Sequence, residues 1–334
     1  MASMAAMSKQ ARVDAAVRGE VVDRPPVSLW RHFYETEETA KGLADSMLAW
    51  QRTYDWDWLK INPRASYHVE GWGVRLRFSG QPLVKPVVLD YPVKTVRDWA
   101  KLKPLPMDSG PLAEQMEAVG RIREGLGDAV YAVETVFTPL SIAGDLVEGE
   151  DAALLAHTRE DPQAVHAALE MITETFCDFS KRILAAGANG LFYATTSWAS
   201  YNTMTDDQYA EYGRPYDLRV LEAVQSAPFN VLHVCNTHNM LKALGDYPAH
   251  AVNWAVGGPG NPTLSEALGL TRMALVGGLD NATLQRGDVA AIQREAADAA
   301  QATGGRRWML GPACSVPVDS PDAAVRAARQ AVSA

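Results

Sequence analysis

Asn230-Val231-Leu232-His233-Val234-Cys235 is a short apolar run that ends on an imidazole and a thiol two positions apart. Alternation along a strand puts residues i and i+2 on one side, so His233 and Cys235 face a common point if the run is extended. A segment of helical period, Thr205 to Ser226, precedes it, and a second apolar run, Ala251 to Ala255, follows. Working outward in both directions gives the same unit repeatedly. Candidate strands fall at 26–30, 58–61, 130–136, 190–194, 230–234, 251–255, 273–278 and 307–311, each short, apolar and usually followed by turn residues. Helical patterns lie between them, including 37–54, 161–186, 205–226 and 288–302. Strand and helix alternating eight times predict an α/β fold of the (β/α)8 TIM barrel type.

Residues 62 to 129 break the rhythm and read as an insertion after the second strand. They carry an expected hairpin, Val74 to Phe78 and Val84 to Leu89 about Gly80, and then two helical stretches. Asp161-Pro162, Thr205 with Asp206-Asp207, and Asp322 before Ala323-Ala324 are expected helix starts. No internal repeat or linker divides the chain, so a single domain over 1–334 is expected.

Composition narrows the partners. Forty acidic against 31 basic residues give a formal net charge of -9, which offers no global attraction to nucleic acid or an anionic membrane. No run approaches the roughly 18 consecutive apolar residues of a membrane-spanning helix. Three cysteines cannot all pair, and the amino-terminal residues reach Lys9, Arg12 and Asp14 without an apolar signal core. A cytoplasmic protein acting on a small molecule is the expectation.

A barrel of this kind builds its active site at the carboxyl ends of its strands. His233 and Cys235 close the fifth expected strand and Cys314 follows the eighth, so the three reach the same rim. One imidazole and two thiolates suit zinc with an open position. Two thiolates also cancel the charge of the ion, so a bound substrate thiol loses its proton yet stays nucleophilic. That favours sulfur activation over water activation.

The chain resembles the uroporphyrinogen decarboxylase-like superfamily of barrels, whose members include zinc-dependent methyltransferases working with corrinoid proteins. The resemblance rests on Arg24-Pro25-Pro26-Val27 with Leu29-Trp30-Arg31, on Tyr54-Asp55-Trp56-Asp57-Trp58-Leu59-Lys60, and on Pro215-Tyr216. It continues through Gly277-Gly278-Leu279-Asp280-Asn281 and Leu310-Gly311-Pro312-Ala313-Cys314-Ser315-Val316-Pro317. The decarboxylase pattern is damaged here. An Arg-Gln-Ala-Gly-Arg-Tyr motif becomes Arg31-His32-Phe33-Tyr34, and a Phe-Ser-Asp-Ile segment becomes Lys60-Ile61-Asn62-Pro63 without its aspartate. The methyltransferase branch instead carries His-x-Cys and a later Cys, which His233, Cys235 and Cys314 match.

The resemblance implies a zinc-dependent methyltransferase moving a methyl group between a corrinoid protein and a thiol, folate or small methylated substrate. No Asp-x-His-x-x-Gly corrinoid motif occurs in the chain, so methylcobalamin would arrive on a separate carrier protein. A divergent carboxy-lyase acting on a porphyrinogen or other carboxylated ring, and a non-catalytic corrinoid- or tetrapyrrole-binding barrel, are the alternatives. Related zinc enzymes often add an acidic ligand near the next strand, where this chain has Asn253. Glu70 and Glu134 are candidate substitutes for that ligand. Arg31, Glu70, Tyr193 and Asn253 are the candidate substrate contacts.

Further residues carry paired readings. His238 either turns to the metal or belongs to a helix start at Asn236-Thr237-His238. Gly257-Gly258-Pro259-Gly260-Asn261-Pro262 lacks the Lys-Ser/Thr ending of a phosphate loop and is expected to form a rim loop against substrate or partner. Trp72, Tyr193, Trp198 and Tyr201 either line a pocket or pack the insertion. Cys177 is expected as buried packing.

Overall fold

Seven parallel strands form one curled sheet in the computed structural model, which describes residues 6–332. In chain order the strands are β1 (Trp58–Ile61), β2 (Arg75–Arg77), β3 (Val87–Asp90), β4 (Tyr131–Phe137), β5 (Leu191–Ala194), β6 (Val231–Val234), β7 (Ala251–Trp254), β8 (Ala274–Leu279) and β9 (Trp308–Pro312). The sheet runs β1-β4-β5-β6-β7-β8-β9, while β2 and β3 make a separate antiparallel hairpin. Each parallel neighbour needs a crossover, and helices supply them.

The first expected strand, 26–30, is shorter than expected but occupies a decisive place. Leu310 N donates to Pro26 O and Ser28 N to Leu310 O on one side, and Asp57 N donates to Val27 O on the other. Residues 26–28 therefore bond to the edge strand β9 and to the residue that leads into β1. A buried ion network clamps this join. The Asp57 carboxylate accepts from Arg12 at 2.6 Å, from both terminal nitrogens of Arg24, and from Val27 N. The Arg24-Pro25-Pro26-Val27 and Asp55-Trp56-Asp57 motifs are thus two halves of one structural device, in which loss of either charge costs about 3–5 kcal/mol.

Inward side chains of alternate strand positions fill the sheet's concave side. Trp30, Trp58, Val133, Phe192, Phe229, Val231, Ala251, Ala274, Val276 and Met309 pack together, with Val13 and Ala16 of the helix Lys9–Arg18 against them. Each large side chain there contributes about 1.5–3 kcal/mol through burial. A larger apolar cluster lies between the strands and the surrounding helices.

The connection from β1 to β4 contains the helix Tyr67–Glu70, the expected hairpin and a 3-10 turn. Its last helix, Gly110–Leu126, immediately precedes β4 and so serves as the crossover between two parallel neighbours. Helix starts follow capping chemistry. Asp161 accepts from Ala164 N, and Thr205 forms a reciprocal cap with Gln208. At the last helix Pro321 is the cap and Asp322 the first helical residue, where a carboxylate favours the positive helix end. No described helix is long and apolar enough to cross a membrane.

Candidate metal centre

The chain folds so that two strand ends, those of β6 and β9, present three candidate ligands to one point. His233 is inside β6, Cys235 lies one residue beyond it, and Cys314 lies two beyond β9. The candidate ligand atoms of His233, Cys235 and Cys314 all lie within 4.8 Å of one another. The Cys314 sulfur is 3.6 Å from His233 Nε2. A tetrahedral zinc with bonds of about 2.1 Å to nitrogen and about 2.3 Å to sulfur requires a separation of about 3.6 Å, so the donor set fits the ion.

Asn253 decides the state of the imidazole. Its amide nitrogen donates to Val276 O and Pro312 O, both at 2.9 Å, and its Oδ1 lies 2.6 Å from His233 Nδ1. With both N–H groups consumed by carbonyls, only the oxygen can face the ring. His233 Nδ1 therefore carries the proton, and the Nε2 lone pair points toward the sulfurs. Asn253 is fully buried and absent from the cavity wall. Its hydrogen bonds orient the imidazole from behind, and such a partner typically governs affinity wherever the ring holds a metal.

The two thiols behave as a pair. Cys314 is held below the usual thiol range chiefly by its hydrogen bond with Cys235, whereas the same hydrogen bond and burial push Cys235 up.

The triad opens into a cavity of about 520 Å³ lined by Trp30, Lys60, Asn62, Phe137, Phe192 and Ser315 among others. It shares His32, Ala65, Asp145, Cys314 and Ser315 with a second cavity of about 750 Å³ under the β2–β3 hairpin. The second space is walled by Leu76, Leu83 and Val88. Two histidine–carboxylate pairs stand near the junction: His32 Nδ1 with Glu37 at 3.1 Å, and His68 Nε2 with Asp145 at 2.8 Å. Lys60 is the main residue overlooked by sequence reading. Burial pushes its ammonium down to about 8, opposed by Cys314 and Glu134. The signal was present, because Trp58, Lys60 and Asn62 alternate onto the same face as any strand predicts.

Several expected substrate contacts lie elsewhere. Arg31 donates to Val318 O and lies over the Phe33 and Trp50 rings, beside a separate surface depression. Aromatic stacking draws the guanidinium away from the triad. Glu70 is held by Arg64 at 2.7 Å and by Ser66, outside both cavities. Glu134, on the outward face of β4, is fully buried against Gln115 and lies outside the triad. Tyr193 is fully buried and donates to Asp217 behind β5.

The paired readings resolve on packing. Trp72 and Trp198 are buried and Tyr201 is exposed against Asp206, and none of the three lines either cavity. His238 is exposed and outside the triad, and no helix starts there, because Asn236 and His238 have φ of 73° and 50°. The glycine-rich loop braces this turn: His238 N donates to Pro259 O, Asn239 N to Asn261 Oδ1, and Asn261 Nδ2 to Asn236 O. Gly260 is required there, since an added Cβ would meet the His238 ring at 2.3 Å. Cys177 is half-buried against Arg219 O.

Comparison with known proteins places this geometry among relatives. The family model described as Uroporphyrinogen decarboxylase (URO-D) matches residues 8–334. The uroporphyrinogen decarboxylase of Prochlorococcus marinus (strain NATL1A) is 22% identical over 269 residues, covering 72% of this chain and 74% of the relative. The methylcobamide:CoM methyltransferase MtbA of Methanosarcina mazei is 24% identical over 194 residues, 55% of this chain and 52% of its own. A solved methyltransferase from Methanosarcina mazei superposes with a TM-score of 0.80 at 22% identity, covering 97% of this chain and 98% of that one.

Proposed function

The chain belongs to the uroporphyrinogen decarboxylase family, and within it we propose a zinc-dependent methyltransferase that moves a methyl group between a corrinoid carrier protein and a small substrate. We read residues 26–28 as the first of eight barrel strands, which places the triad on the catalytic rim. His233, Cys235 and Cys314 would hold the zinc. The ion would act as a Lewis acid that stabilises a substrate thiolate or polarises a leaving heteroatom.

The chain's own residues supply the rest. Asn253 holds His233 in the one tautomer that can ligate. The wall from Phe137 to Phe192 limits access of water, and the contiguous cavity under the hairpin admits a substrate from outside. His32 and Asp145 stand where a proton displaced at the triad could leave. The single observation that carries the reading is the convergence of one oriented imidazole nitrogen and two sulfurs at zinc-compatible spacing.

Purified protein is expected to hold about one zinc per chain, as a three-ligand site requires, and Cys235→Ser or Cys314→Ser is expected to lose it, read by elemental analysis. Full metal content in both variants would refute the site. A carboxy-lyase is the second reading, supported by decarboxylase relatives such as that of Prochlorococcus marinus and by the buried Lys60 ammonium in the cavity. Turnover of uroporphyrinogen by metal-free protein would favour it.

A further inference from the structure

The cavity at the triad holds a buried cation whose hydrogen-bond partner is a neutral amide. Lys60 is 5% exposed, and its Nζ donates to Asn62 Oδ1 while lying 4.5 Å from the Phe192 ring and 5.7 Å from the Trp30 ring. Cys314 acts on it most strongly among the nearby charges but makes no hydrogen bond to it, and the carboxylates that reach it electrostatically, Glu134 and Glu37, are engaged by Gln115 and by His32 with Phe33 N. An ammonium has three donors, and one is used.

Asn62 completes the feature. It is 1% exposed, it lines the cavity, and its Nδ2 has no hydrogen-bond partner. The amide cannot turn, because Oδ1 accepts from Lys60 and from Ser315 Oγ at 3.5 Å. The wall therefore presents ammonium and amide N–H groups together. Unpaired buried donors are costly, and a ligand acceptor removes that cost.

We propose that Lys60 and Asn62 form a carboxylate-binding subsite, so that the substrate is a small molecule bearing a carboxylate a few bonds from the atom presented to the triad. The short span follows from Phe192, whose ring lies 4.5 Å from the Lys60 ammonium and is stacked on the His233 ring at 5.2 Å. Lys60 neutralises the carboxylate while Asn62 donates to a second oxygen. This deepens the methyltransferase reading and rests on it only for the other end of the substrate.

The test uses zinc-loaded protein and two probes, 3-mercaptopropionate and the uncharged 3-mercaptopropan-1-ol, titrated calorimetrically with zinc content measured in parallel. The wild type is expected to prefer the acid by about tenfold or more, the scale of hydrogen bonds to charged groups. Lys60→Met is expected to bring the ratio near one while leaving zinc content and alcohol affinity unchanged. Lys60→Arg is expected to restore part of the preference. An unchanged ratio in Lys60→Met, or no preference in the wild type, overturns the subsite. Equal weakening of both probes with loss of zinc would also overturn it, because Lys60 would then serve only the thiolates. Asn62→Ala gives a second variant if Lys60→Met fails to fold, and its retention of the full ratio counts against the proposal. Binding of [1-13C]propionate to metal-free protein, followed by NMR line broadening, reads the subsite without zinc. Loss of that binding in Lys60→Met supports the subsite even where no zinc is found, which separates its failure from failure of the metal reading.

Discussion

Two buried polar clusters lie on opposite sides of the sheet, and they differ in where their hydrogen bonds go. Behind β5, the fully buried Asp217 carboxylate accepts from Tyr209 at 2.7 Å, Tyr247 at 2.9 Å and Tyr193 at 3.4 Å. Each group there is answered by another protein group. On the concave side, His233 Nε2, the sulfurs, the Lys60 ammonium and Asn62 Nδ2 face a cavity with donors and lone pairs left over. A closed network stabilises the fold, whereas an open one is arranged for a ligand. Tyr193 belongs to the first kind, although its strand position made it resemble the second.

Substitutions can break this contrast. The largest effect is expected from Asp217→Ala, which strands three phenols and is expected to cost about 3–5 kcal/mol in urea denaturation, with zinc content per folded chain unchanged. Loss of zinc instead would merge the two clusters into one.

The same carboxylate sets a pH dependence. Burial raises Asp217 to about 7, against the opposing tyrosine hydrogen bonds. Its folded value lies above its unfolded one, so the folded state holds the extra proton. Stability from this group is full below pH 4 and declines toward pH 7, by at most about 4 kcal/mol. Relative to Asp217→Asn, the wild type is expected to lose ground between pH 4.5 and 7 and change little above. A difference that is flat across that range would place the carboxylate outside the buried network.

Asn253→Ala is expected to lower zinc affinity by about 10–100-fold, measured by chelator competition, since the imidazole loses its orienting partner. Unaltered affinity would show that packing on Phe192 alone orients the ring. The smallest effect is expected from Tyr193→Phe, which removes only the longest of the three Asp217 hydrogen bonds and is expected to cost about 1 kcal/mol. A raised KM for substrate in that variant would return Tyr193 to the site.

Much of the fold was legible because strand and helix periods are local. Seven of the eight expected runs appear as sheet strands within a residue or two. The segment 26–30 was placed correctly but does not form a regular strand, since Pro25 and Pro26 lack the N–H groups that a ladder needs. In the site, His233, Cys235 and Cys314 were legible because their residue types restrict the chemistry and their positions close expected strands. The place of Arg31 was not legible, because a guanidinium's partners depend on whichever rings and carbonyls surround it. Lys60 and Asn62 were read as departures from a motif, and alternation would have marked them as inward-facing.

Sequence alone determined the alternation of strand and helix, the place of His233, Cys235 and Cys314 at strand ends and the kind of metal such a donor set suits, because period and donor chemistry are properties of local residue order. Tertiary structure alone decided that Asn253 holds the His233 ring from behind, that Tyr193 and Glu70 are bound elsewhere, and that Lys60 stands in the cavity with donors to spare. The physical reason is that a polar side chain's role depends on which of its donors and acceptors are already taken. Those partners come from strands and loops far apart in the chain.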